Sequence, residues 1–210
     1  RYFMSLNYYV VDAFADEIFK GNPAAVYVLD EWLSAENMQK IAIENNLSET
    51  AFTVKKDDYF ELRWFTPDRE IDLCGHATLA TAFVLFNYYG ESGPTLRFTS
   101  QSGDLFVTKN EDAYYMDFPS ILPKKVDILP EYEEALGAKI KEAYLARDLF
   151  FVLEDEATVR NLRPNFTAVE KFELGIGVIV TSEGKEEDFV SRTFFPKLTI
   201  NEDPVCGSAH

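Results

Sequence analysis

A long-range internal repeat constrains the fold of this chain more than any other feature of its sequence. Arg63-Trp-Phe-Thr-Pro67 leads to Cys74-Gly75-His76-Ala77, and Arg192-Thr-Phe-Phe-Pro196 leads to Cys206-Gly207-Ser208-Ala209. The arginine stands 11 residues before the cysteine in the first copy and 14 before it in the second. A duplicated unit of strand, loop and helix start accounts for both copies at once, so the 210 residues divide into two related halves rather than one large domain. The chain has two cysteines and two histidines, and all four (Cys74, His76, Cys206 and His210) fall in these motifs. That concentration marks them as candidate site residues.

Each Cys-Gly turn has a physical use. Glycine lets the backbone approach a ligand closely, and the residues after it open a helix whose first amide groups point outward. Such an end attracts a carboxylate, and two copies facing one another across a cleft would offer two anion nests, one with a histidine added and one with a serine. The residues alone leave open that Cys-Gly-x-Ala is only a tight turn before a buried helix. An anion site would also have to invert the field of the chain, because 20 basic against 36 acidic side chains give a formal charge of -16. The same field repels phosphate backbones, so no nucleic-acid partner is expected.

With 47% hydrophobic residues, 18 Phe and 11 Tyr, the chain has the means to bury two cores. Alternating apolar runs predict strands over Tyr8–Phe14, Ala24–Leu29, Thr50–Val54 and Tyr59–Phe65, the last two joined as a hairpin across Lys55–Asp58. Ser34 is a candidate N-cap for a helix carrying Met38, Ile41 and Ala42. Cys74–Tyr89 is apolar on nearly every face, as a helix enclosed by sheet must be. Strands are expected over Thr95–Ser100, Leu105–Lys109 and Ala113–Phe118, with turns at Gly103 and Asn110–Asp112. Pro119, Pro123 and Pro130 then interrupt regular structure. Beyond them, Glu131–Ala138 and the region from Asp155 to Phe172 read as helical, and Tyr144–Leu153, Gly175–Thr181 and Asp188–Phe195 as strands. The prediction is an N-terminal domain over 4–120 with a central helix over 74–89, a linker over 121–130, and a C-terminal domain over 131–210. Arg1–Phe3, ahead of Met4, are read as residues added for expression.

No run of about 20 apolar residues is present, and the chain does not open on a signal-peptide pattern, so no membrane partner and a cytoplasmic location are expected.

Four segments, in order, resemble the motif set of the phenazine-biosynthesis-like (PhzF-like) isomerases: Gly21-Asn-Pro-Ala-Ala-Val26; Asn46-Leu-Ser-Glu-Thr-Ala-Phe52; Arg63–Pro67 with Cys74-Gly-His-Ala-Thr78; and Glu202-Asp-Pro-Val-Cys-Gly-Ser-Ala-His210. The resemblance implies an α+β, diaminopimelate-epimerase-like fold of two similar domains, each a curved mixed sheet around a central helix. It implies a homodimer and an active site between the domains. The family's acid/base glutamate falls on Glu49, its site histidine on His76, its aspartate on Asp203 and its serine on Ser208, with Gly75 and Gly207 as backbone donors. Asn22 would line the cleft, or simply form a turn. The implied reaction isomerises a small cyclic amino-carboxylic acid, such as dihydro-hydroxyanthranilate, without metal or organic cofactor. One carboxylate can take a proton from a ring carbon and return it to another on the same face. His76 would pair with the substrate carboxylate or relay a proton, and Asp203 would bind the amino group or orient His76. On the residues alone, Glu49 also fits an exposed loop glutamate, and Asp203 a turn residue before Pro204. Two departures stand out. The chain stops at His210, where the second copy's central helix should run, so the whole protein is expected to continue past it. Cys206 stands where many family members carry threonine.

Three other readings remain open. Two thiols at paired helix starts, Cys74 and Cys206, fit a racemase or epimerase that deprotonates with one and reprotonates with the other. Cys74, His76, Cys206 and His210 could hold a metal, although their spacings are not those of structural zinc sites. A protein that binds a small carboxylate without turning it over is the third.

Overall fold

The sequence repeat is a repeat of strand topology in the computed structural model, which describes residues 5–17, 19–111, 113–118 and 120–210, the Ser208 side chain excepted. Arg1–Met4, Ile18, Asp112 and Pro119 lie outside the described residues, and with them the expectations of a turn at Asp112 and an interruption at Pro119. The chain forms two units, one reaching to residue 119 and including His210, the other spanning Ser120–Ala209.

In the first unit β1 (Tyr9–Ala13) runs antiparallel to β2 (Asn22–Leu29). After α1 (Ala35–Asn45) the chain returns as β3 (Glu49–Lys55), parallel to β2, and turns back as β4 (Phe60–Phe65), which pairs with the short β5 (Glu70–Ile71). Next come α2 (Gly75–Tyr88), β6 (Thr95–Ser100), β7 (Gly103–Asn110) and β8 (Ala113–Asp117). The sheet order is β1-β2-β3-β4-β6-β7-β8, with β5 off that path against β4.

The second unit holds β9 (Lys124–Lys125), α3 (Pro130–Leu136), β10 (Glu142–Leu145), β11 (Leu149–Val152), α4 (Glu156–Asn161), α5 (Phe166–Val169), β12 (Val178–Glu183), β13 (Phe189–Phe195) and β14 (Ile200–Asp203). Its sheet order is β14-β13-β12-β11-β10-β9. The pairings β10·β11, β11·β12, β12·β13 and β13·β14 run antiparallel, parallel, antiparallel, antiparallel, as do β1·β2, β2·β3, β3·β4 and β4·β5.

Alternation along the strands explains the layering of the first unit. Ala24, Val26, Ala51, Leu62 and Trp64 point to one face and join the core around α2, while Ala25, Tyr27, Leu29, Phe52, Val54 and Phe65 point to the other and cover Met38 and Ala42 of α1. A strand covered on both faces has no exposed side to alternate with, which is why β3 is buried without a break from Glu49 to Val54 although it carries Glu49, Thr50 and Thr53. Residues of β2, β3, β4, β6 and β7 all reach the core cluster of α2, so the sheet curls around that helix. Ala77, Ala80 and Ala82 are fully buried, and their small side chains let the strands come close. The buried hydroxyls of Thr78 and Thr81 donate back to the carbonyls of Cys74 and Ala77 at 2.6 and 2.7 Å, which satisfies them inside the helix. In the second unit Tyr132, Leu136, Val159 and Val169 of the three helices pack with Leu149, Phe151, Val180 and Phe194 of the sheet. The class is mixed α+β, as the two-copy reading predicts.

Several elements differ from their sequence expectation. Tyr144–Leu153, read as one strand, is two antiparallel strands, β10 and β11, folded over at Ala146–Asp148. The turn is held from outside itself, because the buried Asp148 accepts from the amide of Gly177 at 2.9 Å. Gly175–Gly177, read as the start of a strand, precedes β12, and Gly175 has a φ of +70° that a strand does not tolerate. The segment 121–130, read as linker, contains β9, whose two lysines pair with Tyr144 and Leu145. The helical region after Asp155 is two short helices separated around Pro164. The second Cys-Gly turn opens a three-residue 3-10 turn, Gly207–Ala209.

Candidate active site

Glu49 is the first residue of β3, where the β2 ladder pairs it with Ala24. Cys74 is the extended residue that caps α2, and Gly75 and His76 are the first two residues of the helix. Nε2 of His76 lies 3.0 Å from Oε2 of Glu49, and its Nδ1 lies 3.5 Å from Sγ of Cys74. The glutamate is not an exposed loop residue, for its side chain is 11% accessible and that of His76 is 4% accessible. The carboxylate oxygen sits off the line of the imidazole N–H, so the pair touches without meeting the geometry of a hydrogen bond, and neither atom has a hydrogen-bond partner among the described residues. An acid and an imidazole buried this close together are the kind of pair found at functional sites. The Cys74 side chain makes no capping hydrogen bond to the first turn of α2, whose leading amide groups, Gly75 and His76 first, face away from the helix.

Opposing influences act on the imidazole. Burial pushes His76 down, and the Cys74 sulphur and the Glu49 carboxylate push it up, with the outcome well above the ordinary 6.5. Burial likewise pushes the Cys74 thiol up, and the negative charge of Glu49 pushes it further. A thiol held protonated attracts an imidazolium only weakly, so at neutral pH the Glu49 carboxylate is the group that stabilises the charged ring. The site is thus an acidic oxygen beside a trapped positive charge at a helix start, inside a strongly acidic chain.

Cys74, His76 and Glu49 each bring one ligand atom within 4.8 Å of the others, a group that could hold a metal ion. Two of the four residues read as metal ligands from sequence, Cys74 and His76, are in it, and Glu49 joins them. The set fits a metal poorly while its thiol and imidazole both hold protons, since binding must displace them.

The family profile for phenazine biosynthesis-like protein matches residues 11–210. The chain belongs to this phenazine biosynthesis-like family. An uncharacterized isomerase of Pseudomonas aeruginosa is 49% identical over 208 residues, which cover 99% of this chain and 79% of that protein. The crystal structure of a phenazine biosynthesis protein of the PhzF family from Enterococcus faecalis is 71% identical, with a TM-score of 0.95, and the match covers 99% of this chain and 80% of that one. A more distant structure, a predicted epimerase of Pseudomonas aeruginosa at 20% identity, covers 95% of this chain and 76% of its own at a TM-score of 0.72, and shows the fold alone.

The other residues picked out by the family motifs are spread over both units. Asn22 opens β2 and is fully buried. Asp203 closes β14, half-buried, opposite Thr193. Cys206 is buried, and Gly207 begins the 3-10 turn. The Ser208 side chain lies outside the described residues. Sequence reasoning passed over one feature of the phenazine biosynthesis-like motifs. Arg63 and Arg192 each make a two-pronged bond to a glutamate, Glu70 and Glu202, and both glutamates stand four residues before the cysteine. That shared Glu-x-x-x-Cys-Gly spacing was the available signal.

Proposed function

We propose that this phenazine biosynthesis-like protein is an isomerase that moves a proton between two carbons of a small carboxylic acid, with Glu49 as its single general acid/base and no organic or metal cofactor. The observation that carries the reading is the 3.0 Å approach of the buried Glu49 carboxylate to His76 at the start of α2. Relatives at 49% identity that bear the name isomerase support it.

Glu49 takes a proton from one carbon and becomes a carboxylic acid, leaving the electron pair delocalised into the substrate. The same acid then delivers the proton to a second carbon and is ionised again, so the enzyme ends as it began. The His76 imidazolium and the first amide groups of α2, Gly75 among them, hold the substrate carboxylate and the charge that develops with it. By family resemblance Asp203 takes the substrate amino group, Ser208 and the Gly207 amide add contacts, Asn22 lines the site, and the substrate is a small cyclic amino acid. The same resemblance carries a homodimer, which sedimentation equilibrium would report as twice the chain mass.

The two-thiol scheme needs one thiolate as base and one thiol as acid, and burial that keeps Cys74 protonated restricts it to the acid and leaves the base to Cys206. Binding without turnover is separated by offering a panel of small cyclic amino acids in deuterated water. Deuterium appearing at substrate carbon supports the isomerase, and saturable binding with no label at any carbon would mark a receptor.

A further inference from the structure

The arginine–glutamate pairs recur at one point of the repeat in matching detail. Arg63 on β4 donates from Nε and Nη2 to the two oxygens of Glu70 on β5, both at 2.7 Å. Arg192 on β13 does the same to Glu202 on β14, at 2.7 and 2.8 Å. Each guanidinium also lies against the phenylalanine two residues on, 5.3 Å from the ring of Phe65 and 5.1 Å from that of Phe194. Partly exposed ion pairs contribute little to stability, so stability alone gives no reason to build the same one twice.

In the first unit the pair stands at the root of the segment that presents His76. β5 is two residues long, and the run 72–74 has no regular structure before α2 begins. Besides Arg63, Glu70 holds Gln101 Nε2 at 3.1 Å, and Ser102 donates to the Asp72 carbonyl at 2.9 Å, so the run is anchored at its start and free of the ladder thereafter. Glu49 reaches the same strand by another route, because β3 is laddered to β4 from Thr50 opposite Phe65 onward. β4 is therefore the common frame of both halves of the Glu49–His76 contact. One half is fixed through a six-pair main-chain ladder, and the other through a ladder of two pairs with the guanidinium fork added across it.

We propose that Arg63 and Glu70 are positioning residues for the site read above, their two-pronged bond fixing where Cys74 and His76 stand against Glu49. Lysine, with a point charge, does not replace a fork of this kind.

Of the two histidines in these 210 residues, His210 is removed by His210→Gln, and the His76 signal is assigned in a proton NMR titration as the imidazole resonance that a further His76→Gln abolishes. In the His210→Gln background Glu70→Gln is compared with Asp104→Asn, which breaks a more exposed arginine–carboxylate pair, two nitrogens of Arg97 on one oxygen of Asp104 at 2.9 and 3.0 Å between β6 and β7. Both variants are expected to lose about 2–4 °C in Tm. The His76 titration is expected to move down toward the ordinary imidazole range in Glu70→Gln alone, and to move less far in the same direction in Arg63→Lys. An unchanged His76 titration in Glu70→Gln would overturn the proposal. So would failure of both Arg63→Lys and Glu70→Gln to fold while Asp104→Asn folds, which would make the pair a stability element. The titration reads the pair whether or not the site turns substrate over, so absence of carbon-bound exchange would leave this result standing.

Discussion

A histidine whose proton is held more tightly in the fold than outside it makes stability depend on pH in a definite direction. The folded value of His76 is raised above its unfolded one, so its contribution is fully present below an unfolded value of about 6.5 and is lost as pH rises through the folded value. Urea midpoints are therefore expected to fall as pH is raised above about 6.5. In Glu49→Gln, which removes the carboxylate that stabilises the ring, that part of the fall should flatten. A midpoint that rises over the same window would contradict the electrostatics described for the site. At this scale the sequence was only partly legible. Nothing in the local pattern of Leu47-Ser48-Glu49-Thr50 separates a buried acid from an exposed one, and the family likeness alone singled it out. The opposite failure occurred at Cys74, where the rule that helix starts acidify thiols gave way to burial, a property that only the packed sheet supplies.

Among the elements, those held by their own chain read most truly. Ser34 caps α1 by accepting from the Asn37 amide at 3.2 Å, and α2 runs almost the full length of its apolar stretch. Elements held by distant partners did not read: β9 and the fold between β10 and β11 depend on a strand or an amide well along the chain, while β5, which pairs with the neighbouring β4, is only two residues long. The approach to β12 shows how tight such contacts are. A methyl group on Gly177 would come within 2.3 Å of the Phe195 ring and 2.8 Å of the Phe194 carbonyl. Gly177→Ala is expected to destabilise the fold by about 1–3 kcal/mol in urea titration, as overpacking does. A loss below about 0.5 kcal/mol would mean that the ring moves aside at little cost.

At the scale of the whole molecule, net charge acts on every part of the fold at once. A formal charge of -16 on 210 residues repels itself in the compact state, and added salt screens that repulsion. The Tm is expected to rise between low salt and about 0.5 M sodium chloride, and an unchanged or lower Tm would mean that local ion pairs outweigh the net field. The repeat was legible at this scale because it is written in rare residues at matched spacing, and rare residues survive where strand boundaries blur. Sheet order was not legible, because the parallel pairing of β4 with β6 passes over the whole of α2 and leaves no short-range trace. The reading of the chain as an acid/base isomerase rests on one side chain. Its most direct test is deuterium incorporation at substrate carbon by Glu49→Gln beside Cys74→Ser and Cys206→Ser. Loss of exchange by about 100-fold or more in the glutamate variant, with both cysteine variants retaining it, is the predicted result. Exchange that survives Glu49→Gln, or that Cys206→Ser alone abolishes, would contradict it.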